Sequence, residues 1–524
     1  MIQLNLEFLL SVLLFFLPLI FFFIKTCSSY VGNKKSSSVS SKLPRVYPLV
    51  GSSLTIASNH ERFSQWATQL LQSSPNGNVL LYRSLGHLQL ITTNPANVQH
   101  ILKTQFYQYP KGNFFRDHLY DFLGDGVFNA DGDNWKFQRQ IASHEFNTKS
   151  LRKFVETVME DELSGRLLPL LVEASAKNMV FDLQDILQRF AFDNICKIAF
   201  GFDPACLSPK FPQPVSEFAE AFEDATRISS ARFNATLPPV WKLKRAFNIG
   251  SEKRLREAIS TVREYATNLV RQKKRELEEK SSLETEDLLS RFVSSGNSDE
   301  RFVTDIVISF IVAGRDTTSA ALTWFFWLIA NNPRVEEEIL KEIKENPESL
   351  DYDEVKHVVY IHASLCESMR FYPPVPHDTK FAVADNVLPD GTVVKKETGV
   401  TYIPYAMGRT EAIWGKDWPE FRPERWLEKE EISGKWKFLG KDPYTYPVFQ
   451  AGPRICLGKD MAFLQMQRIV AGVMQKYRVV PAEKGFDPFF TSYLSAKMKG
   501  GFPVRVEERK DGRSAESANL INGD

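Results

Sequence analysis

Cysteine is scarce in this chain: 524 residues contain five, Cys27, Cys196, Cys206, Cys366 and Cys456. The count is odd, the spacings are wide and no C-x-x-C pair occurs. That pattern argues against a disulfide framework and against a structural zinc site. Each thiol is then a small buried hydrophobe or a ligand, and burial is expected for all but one. Excess charge of either sign is also missing, with 65 basic against 64 acidic residues and a net charge of +1. Such balance gives no electrostatic case for a nucleic-acid partner. Internal repeats are absent, and so is a G-x-G-x-x-G dinucleotide fingerprint.

What the chain has is apolar bulk, 43% hydrophobic and 12% aromatic. Phe8 to Ile24 is a run without charge, broken only by Ser11 and Pro18. It lies at the short end of what spans a bilayer as a helix. Lys25, Lys34, Lys35, Lys42 and Arg45 follow it, so the bulk of the chain is expected on the cytosolic side. A cleaved signal peptide is the alternative; its charges normally lie in front of a shorter apolar core. Residues 1–27 are thus read as a transmembrane anchor and 28–52 as a serine-rich linker with a proline-containing hinge. Residues 53–509 form the body, and 510–524 a polar tail. NVLLYRSLGHLQLITTNP predicts a strand pair turning near Gly86. Beyond Pro95 helical periodicity prevails, as in residues 155–174 and 306–332. The mixed-charge run Arg271–Lys280 reads as a solvated helix face, and residues 293–300 as a loop. The fold class expected is mainly α with small β-sheets.

Four motifs carry chemistry. FQAGPRICLG, from Phe449 to Gly458, places Cys456 near the start of a predicted helix, where the dipole and backbone N–H groups favour a thiolate. Glycines such as Gly452 let backbone approach a flat cofactor, and Arg454 suits an anionic group on it. AGRDTT, from Ala313 to Thr318, interrupts an apolar helix. Gly314 costs roughly 1 kcal/mol there relative to alanine, and Asp316 and Thr317 set an acid beside a hydroxyl. Glu367 and Arg370 of ESMR share a helix face; read alone, such a pair is common on surfaces and contributes little. Trp135 and Arg139 of WKFQR also share a face, four residues apart.

Taken together these motifs resemble the cytochrome P-450 superfamily of haem-thiolate monooxygenases, from the N-terminal anchor to about Arg509. The resemblance implies one large catalytic domain, because the motifs run from Trp135 to Cys456. It implies haem b (iron protoporphyrin IX) with Cys456 as axial iron ligand. Phe449, Gly452, Arg454, Trp135 and Arg139 become cofactor-binding residues, with Trp135 and Arg139 on a propionate. Asp316 and Thr317 become the proton-delivery pair. Arg425 of PERW joins Glu367 and Arg370 in holding the cysteine loop. One departure stands out: LPRVYPLVGS replaces the usual P-P-G-P hinge.

Residues 123–146, 190–207, 386–415 and 449–463 are similar to the plant clan of fatty-acid omega-hydroxylases, which also contains relatives acting on jasmonoyl–amino acid conjugates and sterol side chains. The expected reaction is NADPH- and O2-dependent hydroxylation at a terminal C–H of a lipophilic substrate, first of all a long-chain fatty acid. Pocket walls are expected from Phe122, Val127, Phe128, Val312, Ala313, Val375, Pro376, Tyr493 and Leu494. Residues 457–524 are too few for a flavin or nicotinamide domain, so electrons must come from NADPH through a partner NADPH–cytochrome P-450 reductase. Lys459 is a candidate docking charge. Endoplasmic reticulum membrane, with a single N-terminal span, is the expected location. Two other readings are a haem-thiolate lipid hydroperoxide isomerase or dehydratase, and a non-enzymatic haem carrier or sensor. The first typically alters the acid–alcohol stretch and lengthens the cysteine loop, and neither change is present.

Overall fold

The computed structural model describes residues 43–146, 149–214, 216–279, 287–294, 299–346, 358–431 and 434–509. The expected anchor at 1–27, most of the linker and the tail lie outside these residues, as does Cys27. Within them the hinge makes no helix before Ser53; Tyr47 and Gly51 close a tight turn instead.

The predicted strand pair forms as Asn78–Tyr82 against Leu88–Thr92, with its turn at Ser84–Gly86. Leu88–Thr92 then pairs in parallel with Gly399–Tyr402, which pairs antiparallel with Asp378–Phe381. This four-stranded sheet draws on residues over three hundred positions apart. It sets Asp378 opposite Tyr402 and Lys380 opposite Val400. Smaller sheets join Tyr477–Pro481, Pro503–Glu508 and Phe181–Asp182, and pair Phe489–Ser492 with Ala496–Lys499.

Helices make up the rest of the body. The central one runs as Glu300–Ile311, a π-helical turn at Val312–Asp316, and Thr317–Ala330. Asp299 caps its start by accepting from the Arg301 N–H at 3.0 Å. Its length and apolar character match a membrane span, but most of it is buried inside protein. The π turn falls where glycine and two threonines weaken the α ladder. Gly314 also has a packing reason: a Cβ there would sit 2.5 Å from Ile195 Cγ1 on the helix Leu183–Phe200. A further helix, Val359–Phe371, packs against Thr317–Ala330 and carries Glu367 and Arg370.

Of the cysteines described, Cys196 and Cys366 are buried, Cys206 is half-buried and Cys456 is exposed. The charged run 271–279 is largely solvated as expected, except that Lys273 is buried against Asp287 at 3.1 Å. Gly314→Ala sets helix propensity, about 1 kcal/mol in its favour, against overpacking of roughly 1–3 kcal/mol. Ile195 is β-branched and stiff near its backbone, so the clash wins. A net loss of up to about 2 kcal/mol is expected in the unfolding free energy, with partial recovery when Ile195→Ala is added.

Candidate active site

The cysteine loop is a folded-back turn. Pro447–Phe449 and Gly452–Arg454 are short 3-10 turns, and the Cys456 N–H donates to the Phe449 carbonyl at 2.8 Å. This closes the loop just before the helix Lys459–Lys476. Burial pushes the Cys456 thiol up, opposed by a Gly458 N–H and by the charges of Arg139 and Lys459. The residue is nonetheless exposed, because it opens on a partly open cavity of about 460 Å³. A thiol surrounded by protein yet accessible from one side is placed to be a ligand.

Phe449, Trp135, Arg139 and Arg454 line the same cavity. Arg139 donates to the Ile455 carbonyl beside Cys456. Arg454 donates to Asp131 at 2.6 Å and to the Ala130 carbonyl at 3.0 Å, with its guanidinium 4.6 Å from the Trp135 ring. Gly452 is placed differently from expectation. It is not a wall of the cavity; its Cβ would lie 2.1 Å from the Leu102 carbonyl, at φ +63°. The close approach of the Leu102 carbonyl is by itself a reason for glycine there.

The acid–alcohol pair is divided between two environments. Thr317 lines the cavity, and its hydroxyl donates to the Ala313 carbonyl at 2.5 Å. Asp316 is buried and turned away from it, 3.2 Å from Arg315. Burial raises its carboxyl, against the pull of Arg315 and Lys497. The Ser495 hydroxyl, which does line the cavity, lies 3.4 Å from the Asp316 carboxylate. Asp316 thus reaches the cavity through Ser495, a residue with no sequence signal of its own.

Glu367, Arg370 and Arg425 come together in full burial. Glu367 accepts from Arg370 at 2.8 and 2.9 Å, from Arg425 at 3.0 Å and from the Trp426 indole at 2.9 Å. The pair is no surface pair: both side chains have 0% exposure.

Among the expected pocket walls, Val127, Phe128, Val312, Ala313, Val375, Tyr493 and Leu494 do line the cavity. Phe122 does not; it is fully buried in the core, edge-on to Phe222 at 5.4 Å. Pro376 does not either; it is buried, and its carbonyl accepts from Tyr405. Sequence reasoning missed a buried charge cluster on the sheet. Asp378 accepts from Lys111 at 2.8 Å, Lys380 at 2.5 Å, Gln450 at 2.8 Å and Tyr402 at 3.1 Å. The only sequence hint was the pair Asp378 and Lys380, alternating on one strand face.

The family model described as Cytochrome P450 matches residues 42–500. The chain is a cytochrome P450. It is 62% identical to Cytochrome P450 94A1 of Vicia sativa over 89% of this chain and 91% of that protein. It is 57% identical to Cytochrome P450 94A2 of the same plant, over 96% and 99% respectively. Cytochrome P450 94B1 of Arabidopsis thaliana is 44% identical over 96% and 98%. This P450 is therefore a monooxygenase, and its family implies haem.

The residues present fit that group. Lys111 and Lys380 pair with Asp378 and Arg454 with Asp131, while Arg139 on the same cavity has no carboxylate partner among the described residues, which leaves a surplus of two positive charges when all are ionised. Burial pulls Lys380 well below its ordinary value, with Asp378 pulling back. Burial also opposes charge on Asp378, but Lys111 and Lys380 outweigh it and hold the carboxyl well below its usual range. A buried surplus of charge costs several kcal/mol per ion unless a counter-charge is supplied. The two propionates of haem are such a counter-charge, and Cys456 offers the iron ligand.

Replacing Glu367 with alanine leaves the buried Arg370 guanidinium without a carboxylate partner and Arg425 with only Asp417, at 3.4 Å. Glu367→Ala is expected to destabilise the protein by about 3–5 kcal/mol, read in urea unfolding, and to lower the fraction that retains haem. An unchanged midpoint would show that the cluster is dispensable.

Proposed function

We propose that this P450 hydroxylates the terminal methyl of a long-chain fatty acid. The observation that carries the reading is the cavity itself, which joins Cys456 to the surface hairpin past apolar walls such as Leu119, Leu123, Val127, Val312 and Leu494. Alkyl burial contributes roughly 0.8 kcal/mol per CH₂, so a long chain binds such a lining without many polar contacts. Internal C–H bonds react more easily than a terminal methyl, so position must be enforced by geometry. The similarity of residues 123–146, 190–207, 386–415 and 449–463 to the plant omega-hydroxylase clan supports the same choice.

Haem, when bound, supplies activation of dioxygen, with one oxygen atom entering a substrate C–H bond and the other leaving as water. The chain's part is to hold it and to move protons. Cys456 would provide the iron ligand, and Arg139, Arg454, Lys111 and Lys380, with Trp135, would hold the propionates, with Phe449 in the loop that carries the ligand. The Thr317 hydroxyl spends its proton on the Ala313 carbonyl. Its lone pairs are therefore left to accept from a water in the cavity. Asp316, through Ser495, is the proton reservoir behind that water. Glu367, Arg370 and Arg425 hold the cysteine loop in position.

Electrons come from NADPH through a membrane-bound flavoprotein reductase, with the exposed Lys459 in its docking surface. Residues 1–27 anchor the protein in the endoplasmic reticulum membrane, 28–52 link and hinge, 53–509 form the cytosolic catalytic domain, and 510–524 a polar tail.

The substrate reading is tested with microsomes holding this protein and a reductase, given NADPH, oxygen and a panel of fatty acids, a jasmonoyl conjugate and a sterol. Terminally hydroxylated fatty acid is the expected product, read by mass spectrometry. A terminal hydroxyl on the conjugate or the sterol alone would move the substrate assignment, and turnover of a hydroperoxide without oxygen would overturn the monooxygenase step. Thr317→Ala is expected to keep the thiolate spectrum while product formation slows by about 10²-fold and NADPH consumption continues into reduced oxygen. Unchanged product per NADPH would remove Thr317 from proton delivery.

A further inference from the structure

We propose that Arg83 is the subsite for a carboxylate head group, holding an acid substrate by its ionised end while the far end of the chain extends toward Cys456. The proposal deepens the fatty-acid reading and rests on it.

Arg83 follows the strand Asn78–Tyr82 and enters the turn at Ser84–Gly86. It lines the same cavity as Cys456 and Thr317. Its neighbours Tyr82 and Leu85 are 48% and 54% exposed, so this wall lies where the cavity meets the surface. The residues around Thr317 are buried in the centre of the body.

Its hydrogen bonds go to neutral acceptors. Nη2 donates to the Phe233 carbonyl at 2.5 Å and Nη1 to Gln89 Oε1 at 3.4 Å. Gln89 is itself held by donating to the Thr401 hydroxyl at 2.9 Å. No carboxylate among the described residues pairs with Arg83, and burial pulls its pKa down to about 10. The other cations on this cavity are differently placed. Lys111 and Lys380 share Asp378, Arg454 has Asp131, and Arg232 lies between Asp121 and Glu252. Arg139 is turned to the Ile455 carbonyl beside Cys456.

Arg83 is half-buried, and a guanidinium partly taken from water without a counter-charge is costly. It also presents five N–H donors in a fork that matches a carboxylate, and these hydrogen bonds leave part of that fork unused. The adjoining wall is apolar: Phe233 packs on Phe115 at 5.4 Å and on Phe114 at 6.3 Å between ring centres. A cation followed by aromatic and aliphatic lining is the arrangement that an alkyl chain with an ionised end requires. Holding the head also fixes which carbon reaches the other end of the cavity.

The test uses the full-length, haem-loaded protein and optical binding titrations with dodecanoic acid and with its methyl ester, in wild type, Arg83→Gln and Arg83→Lys. The ester keeps the chain and loses the charge, so it also reports whether the variant cavity is intact. Arg83→Gln is expected to weaken acid binding by about 10- to 100-fold, to change ester binding less than twofold, and to spread hydroxylation to internal carbons. Arg83→Lys should keep part of the acid preference. Equal weakening of acid and ester, or unchanged acid binding, would overturn the anchor while leaving terminal hydroxylation standing. If the wild type instead binds an acyl–amino acid conjugate and Arg83→Gln weakens that carboxylate against its ester, the fatty-acid reading fails and the anchor stands. A neutral sterol as the sole ligand would overturn both.

Discussion

The carboxylate of Glu367 holds together segments that the cysteine loop depends on. It sits at 0% exposure and accepts from Arg370, Arg425, the Trp426 indole and the Arg422 N–H. Arg370 reaches on to the Gly408 and Glu420 carbonyls, and Arg425 to the Trp414 and Asp417 carbonyls. The helix Val359–Phe371 is thereby fastened to the irregular stretch from 408 to 426. Tyr446 packs on Trp426 at 4.7 Å and donates to the Cys366 carbonyl at 2.9 Å. From Tyr446 the chain enters Pro447–Phe449 and the turn that carries Cys456. One fully satisfied buried carboxylate thus fixes the root of the loop, and a partly satisfied one would be worse than none.

The cavity is asymmetric in a way that follows from its walls. At the Cys456 end cations outnumber carboxylates, because the sheet strand Asp378–Phe381 brings Lys380 beside Lys111 and the loop brings Arg454. Across from it the central helix contributes a π turn. The extra residue swings the following side chains by about 100° relative to an unbroken helix. Thr317 thereby faces the cavity while Asp316 faces Arg315 and Ser495. Gly314 keeps that turn against Ile195, so the fold accepts a helix defect where the chemistry needs an open wall.

Local patterns made much of this legible beforehand. Alternation around Gly86 specified the strand pair, the apolar period specified the central helix, and glycine with two threonines marked where it would loosen. The decapeptide around Cys456 specified the family, because its glycines, its arginine and the following helix start all lie within a few residues of the thiol. Those features act over one or two turns of backbone, so adjacent residues encode them.

Direction and partnership were decided by the tertiary structure. Phe122 went into the core beside Phe222, Pro376 was buried with its carbonyl paired, and Gly452 answered to Leu102. Asp316 could be placed beside a hydroxyl in the sequence, yet its environment is set by Ser495 and Arg315. From helical spacing alone Glu367 and Arg370 read as an ordinary pair; the resemblance added Arg425, and the fold added the Trp426 indole and full burial. Arg83 carried no motif at all. The surroundings of Cys456 follow from short-range backbone geometry. Which side chains face the cavity, and which charges stay unpaired there, depended on burial against distant segments, and a linear pattern does not contain that information.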